Sequence, residues 1–308
     1  MSQNMTAPFS LVLPVKNGEA DLLAFSLPVA LKLKPADFLI VLDKPTDPMI
    51  ERILDKYPSA SIRVVRVERN LNWRFHQAYV RRVGYLGAKY DKLLTFDVDD
   101  LLYPEVMKGL DYVGKRIDGK DIMVVCCRKF LARNNFMSLI RHGLYEMRRK
   151  IFPMTRKAKM QVEKSVKPLI GLYWIYRPWY CELISEKELR EIYNGEDTLL
   201  QFRLIHQDRF DYMLLDEVGC WSLREANENL LWRQLELGIY FGAKPRSPAT
   251  FLNCLLYAFL HADPFVMKGF FLGRGLPDSE RRHIASSTYS EFIMYGNVKE
   301  WAENQGLA

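Results

Sequence analysis

Two carboxylates one residue apart, in Asp97-Val98-Asp99-Asp100, follow the apolar run Leu93–Phe96. Oxygen ligands of this kind suit a hard divalent cation that keeps several waters and bridges to substrate phosphates. At period two the acids at positions 97 and 99 point the same way as the strand ends. The plainer alternative is an acidic loop ahead of a helix opening at Pro104-Glu105. Asp43 ends a second apolar run, Asp37–Asp43, where a carboxylate could hold a nucleoside hydroxyl or base; a turn residue explains it equally well. Gly195-Glu196-Asp197 opens a helical stretch. Acids in a first turn complement the helix dipole, or supply a carboxylate general base. Tyr173–Tyr180 crowds aromatics around Arg177. Trp174, Tyr176 and Trp179 could stack on a sugar, and Arg177 could meet a phosphate. Strand packing followed by a turn is the competing explanation. Arg224 is a late basic residue that reads as a phosphate contact or a surface salt bridge.

The elements that must position these groups alternate in type. Phe9–Val15, Asp37–Asp43, Ser61–Val67, Lys92–Val98 and Asp121–Cys127 read as strands. Between them, Glu19–Leu33 reads as a helix with Pro28 as a kink or break. Asp47-Pro48 reads as an N-cap followed by proline at the first helical position. His76–Tyr90 shows an apolar face at Tyr79, Val83, Leu86 and Tyr90. Repeated βα alternation predicts an α/β fold, a Rossmann-like mostly parallel sheet with helices on both faces. Ligands of such sheets bind beyond the carboxyl ends of the strands. Later segments read as helices at Glu186–Tyr193, Thr198–Ile205 and Glu225–Phe241, with a strand at Phe210–Trp221.

The chain has 308 residues, 49% hydrophobic, 13% aromatic and 26% charged. That composition excludes disordered, collagen-like and coiled-coil chains. Five cysteines without a C-x-x-C pair speak against a disulfide scaffold or zinc ribbon and for a reducing compartment. No secretory signal is read at the start. The best spanning candidate, Phe251–Leu272, is interrupted by His261, Asp263, Pro264 and Lys268.

Charge is uneven. Residues 128–168 hold twelve Lys/Arg and two acids, a net +10, leaving −3 for the rest of a chain whose total is +7. Interleaved apolar residues such as Phe136, Leu139 and Phe152 suit a membrane-surface segment as well as a nucleic-acid groove; a solvated helical face is the bland alternative. A nucleic-acid role leaves the ordered acids unexplained, because they would repel phosphate.

Taken in order, Pro14-Val15-Lys16-Asn17, the loop at Asp43, Asp97-Val98-Asp99, the helix-opening Glu196-Asp197 and the late Arg224 resemble family 2 glycosyltransferases, with their glycosyltransferase A fold. The resemblance covers roughly residues 9–225. It implies that Pro14, Val15, Asn17 and Glu19 border the nucleotide pocket and that Asp43 contacts base or ribose. It further implies Asp99 as direct ligand of Mn²⁺ or Mg²⁺, with Asp97 nearer the ribose or sharing the metal and Asp100 as helper. Asp197 would be the catalytic base with Glu196 beside it, and Arg224 would lie near the diphosphate. Arg74 and Arg81 read as surface arginines, with a nucleotide-facing role as the alternative. Two departures stand out: Leu42–Asp47 replaces the family's D-D-G-S-x-D, and Asn70–Gln77 stands where Ala-Arg-Asn is usual.

The implied activity is metal-dependent, inverting sugar transfer from a nucleotide sugar (UDP- or GDP-linked) to a glycan or lipid-linked acceptor. A sugar-phosphate nucleotidyltransferase would want a glycine-rich N-terminal loop, which Pro14–Glu19 is not; an inactive transferase-like binder is the other alternative. The expected organisation is a nucleotide-sugar-binding half (1–127), a basic insert (128–168), an acceptor and catalytic half (169–241) and a helical C-terminal region (242–308). The expected location is cytoplasmic, with peripheral attachment to an anionic membrane face through the insert and the apolar C-terminal pieces.

Overall fold

Apolar runs of six or seven residues, too short for helices and rich in Val, Leu and Ile, form the centre of one sheet. They are β1 (Ser10–Lys16), β2 (Asp37–Asp43) and β3 (Ile62–Val67), joined by β4 (Lys92–Thr95). The computed structural model describes residues 7–130, 172–193, 195–205, 207–223, 227–244 and 265–287, with single positions between 250 and 258 and at 292. The chain divides into two compact units, residues 1–131 with 168–224, and residues 132–167 with 225–308.

In the first unit, β1 to β4 run parallel in the order β3-β2-β1-β4. Helices α1 (Ala20–Leu31), α2 (Pro48–Asp55) and α3 (His76–Gly87) make the crossovers. Alternate strand residues face opposite layers. Leu11, Leu13, Phe38, Ile40, Leu94 and Phe96 join the core with α1 residues Leu23 and Leu27. Leu39, Val41 and Val67 pack on Val80 of α3. Burial on both faces explains why these strands read as continuous apolar runs. At Gly84 of α3, a Cβ would lie 2.6 Å from Val12 Cγ1, so only glycine lets the helix approach this closely.

Asp47 caps α2 as its sequence predicts, accepting a hydrogen bond from the Met49 N–H at 2.9 Å, with Pro48 at the first position. Pro28 does not break α1, which runs on to Leu31. The carbonyl that proline leaves unbonded belongs to Ala24, on the exposed side of the helix, where solvent can reach it.

Beyond β4 the sheet stops being parallel. β5 (Asp100–Leu102), β6 (Arg116–Ile117), β7 (Lys120–Phe130), β8 (Tyr173–Tyr176) and β9 (Phe210–Ser222) complete it. The order continues β4-β8-β7-β9-β5, with β6 on β7. β8 runs antiparallel to both β4 and β7, β9 lies parallel to β7, and β5 returns antiparallel on β9. A 3₁₀ segment, Pro104–Asp111, follows β5. Helices α4 (Arg177–Leu183), α5 (Glu186–Glu191) and α6 (Glu196–Ile205) lie between β8 and β9.

The second unit contains α7 (Asn227–Ala243), α8 (Phe265–Gly275) and α9 (Asp278–Ser286). Gly238 and Gly242 of α7 meet Gly269 and Gly273 of α8 backbone to backbone. A Cβ on any of the four would fall 2.1–2.3 Å from a carbonyl oxygen of the facing helix. Most of the basic insert, residues 131–168, lies outside the described residues.

Candidate functional site

Parallel pairing brings the carboxyl ends of β1, β2 and β3 to one edge, with Lys16 opposite Asp43 and Asp43 opposite Val67. Pro14 and Val15 lie on β1; Val15 is a core residue, so only its backbone faces this edge. Asn17 joins the two loops that follow β1 and β2. Its Nδ2 donates to the Lys44 carbonyl and to Thr46 Oγ1, both at 2.7 Å, and its Oδ1 accepts from the Thr46 N–H at 3.0 Å. Glu19 is buried and accepts from the Lys16 N–H at 2.9 Å. These two side chains shape the rim.

Asp43 Oδ1 lies 2.8 Å from His76 Nε2, and both side chains are largely buried. The His76 ring stands beside Tyr79, which in turn packs on Trp73. His76 is the first residue of α3, a position the sequence reading passed over.

The second group forms where β4 ends. The strand stops at Thr95, and Asp97–Asp100 is a turn, not a strand end. The Asp100 N–H donates to the Asp97 carbonyl at 2.9 Å, and the Asp97 N–H donates to Asp100 Oδ2 at 3.1 Å. The period-two argument for the acids therefore does not apply; the turn sets their directions. Asp99 is buried, and its carbonyl accepts from the Leu223 N–H at 2.6 Å. Asp100 is fully buried and begins β5 opposite Ser222, so it is a structural residue of the turn.

Arg81 of α3 is 5% exposed, contrary to its reading as a surface arginine. Its guanidinium pairs with Asp97 and with Glu196 at the start of α6. Burial opposes its charge, yet Asp97 foremost, then the Tyr85 and Tyr173 hydroxyls and Asp197, hold its protonation above the ordinary arginine range. Tyr85, one turn further along α3, donates to Thr95 Oγ1 at 3.2 Å and shares a 2.8 Å hydrogen bond with the Tyr173 hydroxyl. Burial raises the pKa of both phenols, so they stay neutral. Gly195, with φ +71°, turns the chain into α6, presenting buried Glu196 to Arg81 and leaving Asp197 half-buried beside it.

The aromatic acceptor set needs correction. Tyr173 pairs with Thr95 at the carboxyl end of β4, whereas Tyr176 pairs with Lys92 at its amino end. A strand rises about 3.3 Å per residue, so Tyr176, Arg177 and Trp179 lie beyond the opposite end of this strand from the Asp97 turn. Trp174 is fully buried, donating from Nε1 to the Val106 carbonyl at 2.8 Å and packing on Phe9. Arg177 is committed to Asp91 and the Ala88 carbonyl. Trp179 packs between Tyr176 and Phe210. Arg74 holds the chain after α5, bonding the Glu191 carbonyl at 3.3 Å and stacking on Tyr193. Arg224 lies outside the described residues.

Mixed sheet order, both-face helix cover and acids after β2 and β4 are together the plan of one fold. The chain has a glycosyltransferase A fold. The mannosyltransferase PcManGT from Pyrobaculum calidifontis, in complex with GDP-Man and Mn²⁺, is similar with a TM-score of 0.51 and 14% identity, over 98% of this chain and 87% of that one. S. aureus TarS 1-349, in complex with UDP-GlcNAc, is similar with a TM-score of 0.50 and 15% identity, over 93% of this chain and 73% of that one. No protein-family model and no curated protein sequence matches the chain. In this glycosyltransferase A fold no cluster of three or more His, Cys, Asp or Glu side chains shapes a metal cage among the described residues. What the turn offers is a pair of carboxylates, one already neutralised by Arg81. That donor set suits a cation completed by substrate phosphates and water.

Proposed function

We propose that this protein is an inverting, family 2-like glycosyltransferase that moves a sugar from a nucleotide-sugar donor to an acceptor hydroxyl. The observation that carries the reading is the Arg81 junction. One buried guanidinium ties the acid turn after β4 to the Glu196-Asp197 helix start. This supports a reading in which Asp97 and Asp99 serve a cation and Asp197, next to Glu196, serves as base. The nucleotide sugars named with the two similar proteins, GDP-Man and UDP-GlcNAc, support a donor of this class.

In this reading Asp43 and His76 border the base or ribose, in a rim built by Pro14, Val15, Asn17 and Glu19. Asp99, with Asp97, would hold Mn²⁺ or Mg²⁺, and a bound cation supplies charge neutralisation to the leaving diphosphate. Asp197 accepts the acceptor hydroxyl proton as that oxygen attacks the anomeric carbon and the sugar–phosphate bond breaks. Glu196 pairs with Arg81 and positions Asp197. Arg224 is proposed at the diphosphate. The acceptor is a glycan or lipid-linked molecule, and the enzyme works in the cytoplasm, peripherally at a membrane face.

The test is thermal stabilisation and donor hydrolysis across UDP- and GDP-sugars with Mn²⁺, Mg²⁺ or EDTA. Metal-dependent stabilisation by one nucleotide, lost in Asp99→Ala, is expected. Absence of stabilisation by every nucleotide with either metal would overturn the reading.

A further inference from the structure

The second unit has a composition unlike the first. Residues 132–167 and 225–308 together hold 18 Lys/Arg and 11 Asp/Glu, a net +7, so the first unit is neutral. The whole excess positive charge of the protein belongs to one unit, and within it to residues 132–167 at +8, while residues 225–308 sum to −1. The same unit exposes four large apolar side chains: Phe251 (41%), Leu252 (61%), Leu255 (43%) and Phe271 (62%).

These residues are not scattered. Positions 251, 252 and 255 fall on one helical face, while Cys254 and Ala258 turn inward onto Val266 and Phe270 of α8. The Phe270 ring lies 5.5 Å from that of Phe251 and 5.8 Å from that of Phe271, so both exposed rings flank one buried ring. One exposed basic side chain borders them: Lys268, one turn before Phe271 on α8, whereas half-buried Arg274 stacks over Phe270 at 5.1 Å and donates to the Lys244 carbonyl at 2.8 Å. Close glycine contacts hold α8, which carries Phe270 and Phe271, against α7.

Single exposed apolar residues need no explanation, but a group of exposed aromatic and leucine side chains around one buried ring, beside an exposed lysine, does. No helix among the described residues is long and apolar enough to cross a membrane. Aromatic and leucine side chains that enter the headgroup boundary, together with basic residues that meet anionic lipid, are the two signals stable interfacial binding requires.

We propose that Phe251, Leu252, Leu255 and Phe271 form an interfacial surface that docks the second unit onto an anionic lipid bilayer. The cationic charge of residues 132–167 draws the unit to the surface, and the rings then insert. This deepens the peripheral attachment proposed above but does not depend on sugar transfer, because nucleotide binding is assigned to the other unit.

The experiment is co-sedimentation of the full chain with vesicles of phosphatidylcholine alone or of phosphatidylcholine and phosphatidylglycerol at 7:3, at low and physiological salt. Wild type is expected to sediment with the anionic vesicles only. The double variant Phe251→Ser/Phe271→Ser is expected to bind at least about tenfold more weakly, with unchanged circular dichroism and nucleotide-induced stabilisation. The milder Leu252→Ser, at the most exposed leucine, covers the case in which the double variant misfolds and should weaken binding in the same direction. Lys268→Glu should weaken binding at low salt and make what remains less sensitive to added salt. Binding by folded apolar variants equal to wild type would overturn the proposal, leaving charge alone as the cause. A concentration-dependent dimer abolished by the same substitutions, without vesicle binding, would overturn it in favour of a second copy as occupant. If vesicle binding fails while metal-dependent nucleotide stabilisation persists, the transferase reading stands without the docking surface.

Discussion

Arg81 and Glu196 form a buried ion pair between the middle of α3 and the first turn of α6, and the same guanidinium holds Asp97. α3 also carries His76, five residues earlier, against Asp43. At 1.5 Å per residue the two basic side chains are about 7.5 Å apart along the helix axis. One helix therefore holds the acid that ends β2, the first acid of the turn after β4 and the first acid of α6.

Breaking this junction should be costly. Arg81→Ala leaves two carboxylates near a buried site without their counter-charge, and removing one partner of such a pair costs about 3–5 kcal/mol. Arg81→Lys keeps the charge but not the planar fork that serves two acids. It should fold with a smaller loss and lose sugar transfer by more than tenfold. Thermal unfolding and turnover measured side by side check both expectations. Wild-type turnover in Arg81→Lys would refute the positioning role.

The neighbours Glu196 and Asp197 should separate by kind of effect. Asp197→Asn is expected to lower kcat by about 10²–10⁴, while nucleotide affinity changes little. Glu196→Gln is expected to lower stability first, since it strips a counter-charge from buried Arg81. Steady-state kinetics and calorimetric nucleotide binding distinguish them. A stable, fully active Asp197→Asn would remove that residue as the base.

Asp43 and His76 should behave as one unit. Each alanine substitution is expected to weaken nucleotide binding about tenfold, and the double variant little more than either, because contacting residues couple. Full additivity in the calorimetric double-mutant cycle would show that the 2.8 Å contact has no part in recognition.

Asp37 gives a prediction about pH. It is buried at the amino end of β2, where it accepts hydrogen bonds from Arg63, the Lys89 N–H and Ser10 Oγ. Burial alone would raise its pKa; these partners outweigh burial and hold it below the usual carboxylate range. A depressed folded value means stability that is present above the unfolded pKa of about 3.9 and is lost as pH falls through the folded value. Asp37→Asn should cost about 2–3 kcal/mol at pH 7, and the gap to wild type should narrow as the solution is acidified below pH 4. A gap constant with pH would contradict the assignment. Nucleotide binding should be unaffected, since Asp37 lies at the other end of its strand from Asp43.

Much of the first unit was readable along the chain. Asp37–Asp43 and Ser61–Val67 announce buried strands by continuous apolar and β-branched residues, and Asp47-Pro48 marks a helix start. These are local signals, set by propensity, period and capping within a few residues. The same locality made Asp43, Asp97, Asp99 and the Glu196-Asp197 pair visible as candidates. Local signals failed at Trp174 and Arg177, because an aromatic run looks alike in a core strand and in a sugar site. Only the antiparallel pairing of β8 with β4 decided that Tyr173 faces the acid turn and Tyr176 the far end. They failed again at Arg81 and His76. A basic residue on a helix looks solvated until its partners are known, and those partners come from β2, the turn after β4 and α6. Local signals along the chain were enough for β1, β2, β3, β7 and β9, for the start of α2 and for the supply of acids. The tertiary structure decided which acids share a counter-charge, because burial and long-range pairing depend on segments far apart in the chain.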